Sequence, residues 1–135
     1  IWAAAKVGFD ALAGELDGGF PAWESAAAAT ATGSLIDAGR LVSGPESSAV
    51  VVDIRQSSEY AAGHVAGARN IELGSLAEHL NQLPSGPLVV MCGHSERATT
   101  AASILEAAGR TDVAVLNGGA ADWSRESGRS LELGR

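Results

Sequence analysis

The sequence predicts an α/β domain with a mainly parallel sheet covered by helices on both sides. Three observations predict it. Ala49–Ile54, Leu88–Met91 and Val113–Leu116 are short runs rich in β-branched residues, the pattern of strands buried on both faces. Stretches with helical spacing separate these runs, and strands alternating with helices favour parallel pairing. Turn residues punctuate the alternation: Pro84-Ser85-Gly86-Pro87 enters the second strand and Asn117-Gly118-Gly119 leaves the third.

Each element follows in order. Gly18-Gly19-Phe20-Pro21-Ala22-Trp23 recurs as Gly118-Gly119-Ala120-Ala121-Asp122-Trp123, with Leu16-Asp17 and Leu116-Asn117 ahead. Further upstream, Lys6–Asp10 parallels Ala108–Asp112 with a one-residue slip. Residues 1–27 therefore read as the tail of an incomplete first repeat. Residues 28–33 are small and polar and read as a linker, and residues 34–135 form the complete domain. Within it, helices are expected over Ser34–Leu41, Ser57–Ala62, Leu76–Leu83 and Arg97–Ala108. The last is the longest, with Ala101, Ile104, Leu105 and Ala108 on one face and Gly109 as its C-terminal stop.

Composition narrows the function classes. The 135 residues suit one domain, and 46% hydrophobic against 19% charged residues is enough apolar material for a core. A formal charge of −7 with no basic run disfavours nucleic-acid binding. No uncharged apolar stretch reaches the roughly 18–20 residues that span a bilayer, so a soluble chain is expected, with no membrane partner. The single cysteine forms no internal disulfide, which fits a reduced, cytoplasmic setting.

That cysteine stands in Val89-Val90-Met91-Cys92-Gly93-His94-Ser95-Glu96-Arg97, a buried strand, a short polar loop and a helix start. Ligands of parallel sheets bind beyond the carboxyl ends of the strands. Backbone N–H groups left unpaired at a helix start, together with the helix dipole, form a cradle for an anion such as a thiolate. A lone cysteine is also a common small core residue. Its position leaves the reactive and the core reading open on equal terms.

Asp53-Ile54-Arg55, Glu59-Tyr60, Gly63-His64-Val65-Ala66-Gly67-Ala68, Cys92 with Arg97 five positions on, and Gly118-Gly119 with Trp123 together resemble the ordered signature of the rhodanese superfamily over residues 32–130. The resemblance implies a five-stranded parallel sheet with helices on both faces. It also implies a sulfurtransferase in which Cys92 carries sulfane sulfur as a persulfide, taken from a persulfide or thiosulfate donor and given to a thiol or cyanide. Gly93, His94, Ser95, Glu96 and Arg97 are then the substrate-binding loop, with Arg97 closing it. No cofactor is implied. A truncated repeat ahead of an intact one is similar to the C-terminal part of proteins in which a metallo-β-lactamase-fold domain precedes rhodanese modules.

Two departures from the family pattern bear on chemistry. Ser95 occupies a position that is often glycine, where positive φ costs a side chain modestly. Gly93 and His94, followed by Glu96, replace residues that are often basic in members using thiosulfate, so that dianion is not the obvious donor. Two other function classes stand beside sulfur transfer. Related dual-specificity phosphatases also place Cys and Arg around such a loop, but with five intervening residues where Cys92 and Arg97 have four. A non-catalytic docking module is the other reading, and the presence of Cys92 speaks against it.

The remaining candidates read as structural. Asp53, Arg55 and Glu59 form an ion-pair cluster pinning the first crossover, and His64 hydrogen-bonds a turn. His94 either contacts substrate or faces solvent, and His79 lies on the surface. Trp23 and Trp123 serve as hydrophobic anchors, and no metal site is suggested. Trp2, Val7, Phe9, Leu12, Leu16, Phe20 and Trp23 carry too much apolar surface to leave in water, so the leading segment is expected to pack on the domain, on a second copy of the chain or on both, with a homodimer favoured.

Overall fold

A computed structural model describes residues 11–27, 29–30 and 32–134. The chain divides into two units, Ile1–Thr32 and Gly33–Arg135. In the first, helix α1 (Gly19–Ser25) follows Gly18, which adopts φ +78°, and the Gly19 N–H donates to Leu16 O at 2.9 Å. In the second, the matching Gly118-Gly119 pair likewise precedes a helix, α5 (Ala120–Ser127). The two matched tryptophans differ: Trp123 is 5% exposed and anchors a core, whereas Trp23 is 45% exposed and gives its Nε1–H to Ala29 O. The upstream parallel at Lys6–Asp10, with Trp2, Val7 and Phe9, lies outside the described residues.

The second unit holds strands β1 (Ser34–Ile36), β2 (Val50–Asp53), β3 (Arg69–Asn70), β4 (Leu88–Met91) and β5 (Val113–Leu116), all paired in parallel in the order β1-β5-β4-β2-β3. Its helices are α2 (Ala38–Ser43), α3 (Ser57–Ala62), α4 (Glu96–Ala107) and α5. The five-stranded parallel sheet and its helical cover are those the resemblance implied. Side chains of successive strand residues enter opposite layers. Val52, Leu88, Val90, Val113 and Val115 meet Leu76, Ala101 and Leu105 on one face. Val51, Val89, Met91, Ala114 and Leu116 meet Leu41 and Trp123 on the other. Burial on both sides is why these strands read as unbroken apolar runs.

Two expected elements differ. Ser34–Leu41 is not one helix: Leu35 and Ile36 pair with Val115 and Leu116 of β5, and α2 begins only after Asp37, whose carboxylate accepts the Arg40 N–H at 2.9 Å as its N-cap. Leu76–Leu83 is two 3₁₀ turns, Leu73–Glu78 and Leu80–Gln82. Leu73, Leu76, Leu80 and Leu83 all pack against the core at a spacing that reads as an α-helix, but Gly74, Asn81 and Pro84 disfavour a regular helix there. His79 accordingly is half-buried, with Nδ1 2.8 Å from Ser75 O. The long helix α4 matches within a residue, and Gly109 ends it at φ +90°. Ala108, assigned to its buried face, is exposed, and Ala98 and Ala102 complete that face instead.

Among the described residues no helix is long and apolar enough to cross a membrane. Leu105 is fully buried in the layer under α4. Leu105→Ala should cost about 2–4 kcal/mol through lost burial and the cavity left behind, read as a lower midpoint in urea denaturation with an unchanged slope.

Candidate active site

The sheet delivers Cys92 to the carboxyl end of its central strand β4, where it is 2% exposed. β2 runs alongside, and the Ile54 N–H donates to Met91 O at 3.0 Å, holding the strand ends level just before the loop. The chain then reverses through Gly93, His94 and Ser95. Ser95 takes the left-handed conformation, φ +78° and ψ −25°, the cost foreseen for a side chain at this position. The ladder of α4 begins with the Thr99 N–H to Ser95 O at 2.8 Å, and the Thr99 hydroxyl donates to the same oxygen at 3.0 Å. The amides of the loop therefore precede the helix's own hydrogen bonds, at its positive end.

Arg97 closes the loop from the first turn of α4. Its Nη1 and Nη2 donate to Glu59 Oε2 and Oε1 at 2.8 and 3.0 Å, a bidentate pair between α4 and α3. A side chain at Gly93 would lie 3.8 Å from Arg97 Nη2, so the guanidinium runs along the loop. Glu59 also accepts the Gln56 N–H at 3.3 Å as the capping residue of α3. The hydrogen bonds from Arg97 hold the Glu59 carboxyl below the usual carboxylate range, and those to Glu59 push the guanidinium up.

The cluster expected to pin the first crossover is thus split. Arg55 pairs with fully buried Asp53, Nε to Oδ1 at 2.9 Å and Nη2 to Oδ2 at 2.5 Å, and also donates to Gly63 O at 2.9 Å. Glu59 instead turns to Arg97. The Arg97 guanidinium lies along the Gly93–Arg97 loop, so Glu59 braces that loop rather than the first crossover. His64 is buried, with Nδ1 3.0 Å from Tyr60 O and its ring stacked on Tyr60 at 3.6 Å between centroids. Its structural reading suits this place behind the site.

Sequence reasoning left the opposite wall unassigned. A Cβ on Gly119 would meet Gly93 O at 2.8 Å and Cys92 O at 3.1 Å, so the turn into α5 presses its bare backbone against the active loop. Gly118 has φ +127°, and Asp122 Oδ2 accepts the Gly119 N–H at 2.9 Å. The recurring glycine pair was the available signal. A cavity of about 490 Å³ opens between these walls, lined by Glu59, Gly63, His94, Gly119, Ala121 and Leu131 among others. His94 is exposed and also lines the cavity, whereas Glu96 is exposed in the first turn of α4.

The family profile of the rhodanese-like domain matches residues 35–126. The chain belongs to the rhodanese-like domain family. Among relatives, the thiosulfate sulfurtransferase GlpE of Pseudomonas fluorescens is 38% identical over 79 residues, covering 58% of this chain and 72% of that protein. The protein of the same name from Pseudomonas putida is 38% identical over 76 residues, covering 56% and 69%. A rhodanese-related protein from Thermoplasma volcanium superposes with a TM-score of 0.65 at 27% identity, covering 74% of this chain and 98% of that one.

Two outcomes test the loop of this rhodanese-like domain. Ser95→Gly should raise stability by about 0.5–1 kcal/mol by relieving left-handed strain, measured by urea denaturation. Glu59→Gln should lower the melting temperature near neutral pH. Because the folded Glu59 carboxyl is depressed, its contribution is present above the ordinary carboxylate range and lost as the pH falls through the folded value. The gap between wild type and variant should therefore close in acid, and a constant gap would mean the ion pair is not its source.

Proposed function

We propose that the domain is a sulfurtransferase that carries sulfane sulfur as a Cys92 persulfide. The observation carrying this reading is the placement of the only cysteine at the mouth of a loop whose amides precede the α4 ladder and whose closing arginine is fixed by Glu59. The names of the relatives point the same way.

The relay has two displacements. Cys92 thiolate attacks the outer sulfur of the donor, its S–S bond breaks, and the electron pair leaves with a thiolate or with sulfite. An acceptor thiolate or cyanide then attacks the outer sulfur of the persulfide, and the pair returns to Cys92. The loop amides stabilise the anionic sulfur between the steps. Four residues between Cys92 and Arg97 make a ring suited to one sulfur atom and tight for a phosphate, which sets sulfur transfer above phosphoester hydrolysis.

Charge around the cavity favours an organic persulfide over thiosulfate as donor. Arg55 is engaged by Asp53 and Arg97 by Glu59, so neither guanidinium offers an unopposed charge to a dianion.

Incubation with glutathione persulfide or thiosulfate should add one sulfur, about 32 Da, to the intact mass. Cys92→Ser should abolish this with an unchanged far-UV spectrum. Absence of cyanolysable sulfur on the wild type with either donor, or aryl phosphate hydrolysis lost in the same variant, would overturn the reading. Glutathione persulfide should show the higher kcat/KM, and Gly93→Arg should narrow the gap. A wild-type preference for thiosulfate would contradict the charge argument.

A further inference from the structure

The cavity lined by Gly93 and His94, the two residues that follow Cys92, is larger than the sulfur chemistry needs. Its volume of about 490 Å³ lies in the range of about 300–1,000 Å³ typical of small organic ligand sites, whereas one sulfur atom is held by the loop alone. Its walls come from five parts of the chain: Arg55 in the turn after β2, α3 and its end, the loop after Cys92, the first turn of α5 and the segment at Leu131.

The C-terminal segment is built into this wall. The His64 N–H donates to Glu132 O and the Glu132 N–H to His64 O, both at 3.0 Å, while the Gly134 N–H donates to Ala61 O at 2.9 Å. Glu132 Oε2 accepts the Gly67 N–H at 3.2 Å. These bonds fix Leu131 against Gly63, where a Cβ would come within 3.1 Å of Leu131 Cδ1. The absence of a side chain at Gly63 is what lets Leu131 sit so close. Half-buried Leu131 packs against the buried cluster that contains Val65 and also lines the cavity. Ala62, Ala120 and Ala121 continue the same small apolar surface.

We propose that this cavity receives the organic arm of a low-molecular-weight thiol or its persulfide, and that Leu131 is the residue that selects for it. The proposal rests on the sulfur-transfer reading and adds the substrate class and its selector. A thiol of tripeptide size fills such a space with its sulfur toward Cys92 and its aliphatic carbons against Leu131 and the alanines. Thiosulfate has no arm to place there. The donor preference thus has a steric source in Leu131 besides the paired charges.

The test uses the full chain and two variants that each narrow the cavity, Leu131→Trp and Ala62→Phe. The latter changes an exposed residue at the end of α3 and keeps the question open to measurement should the former unfold. In either, the ratio of kcat/KM for glutathione persulfide to that for thiosulfate should fall tenfold or more. Binding of S-methylglutathione, which transfers no sulfur, should weaken in parallel by calorimetry or by chemical-shift titration. A ratio held within twofold in folded variants, or S-methylglutathione affinity unchanged by them, overturns the selector. If S-methylglutathione binds the wild type and the variants lose it while no donor loads Cys92, the sulfur-transfer reading falls and the cavity assignment stands.

Discussion

The ion pair between Arg97 and Glu59 ties together the two halves of the site. Arg97 belongs to the helix that leaves β4, and Glu59 to the helix that leaves the neighbouring strand β2. Two hydrogen bonds in parallel hold the guanidinium in one plane. That plane runs beside Gly93, so the loop around Cys92 is bounded by a charge whose position is set from a different element. Both partners are partly exposed, so the pair's net stabilisation is about 1 kcal/mol or less after screening. Its importance lies in geometry. A left-handed Ser95 and a cysteine buried at a strand end persist where the surrounding structure over-determines them.

The other boundary is made of backbone. Gly119 stands where any side chain would collide with the carbonyls of Cys92 and Gly93, and Asp122 holds the turn by accepting the Gly119 N–H. The loop is thus clamped between an ion pair and a glycine turn, each projecting from the carboxyl end of a strand beside β4. Parallel pairing brings these three ends to one rim.

Much of this was legible in the sequence, for identifiable reasons. The central strands announce themselves because burial on both faces removes every polar residue from Leu88–Met91 and Val113–Leu116. The edges do not. β1 buries Ile36 but leaves Leu35 59% exposed, and β3 is two polar residues, Arg69 and Asn70, recognised only by their pairing with Val52 and Asp53. Cys92 stood out by its place between a buried strand and a helix start, while Arg97 and the strain at Ser95 came from the family resemblance. The partner of Arg97 did not, since Glu59 is 38 residues away and Arg55 stands nearer in sequence; buried Asp53 claims Arg55 and leaves Glu59 free for the loop. Leu131 carries no motif, and its role emerges only when the C-terminal segment pairs with His64.

The central claim is that the loop from Gly93 to Arg97 holds an anionic sulfur on Cys92. A crystal structure of the protein loaded with a persulfide donor and frozen before acceptor is added tests this most directly. The account predicts a second sulfur bonded to Cys92 Sγ inside the loop, within hydrogen-bond reach of several of its amides, with the Arg97–Glu59 pair intact. A persulfide sulfur turned out of the loop and touching none of those amides would contradict it.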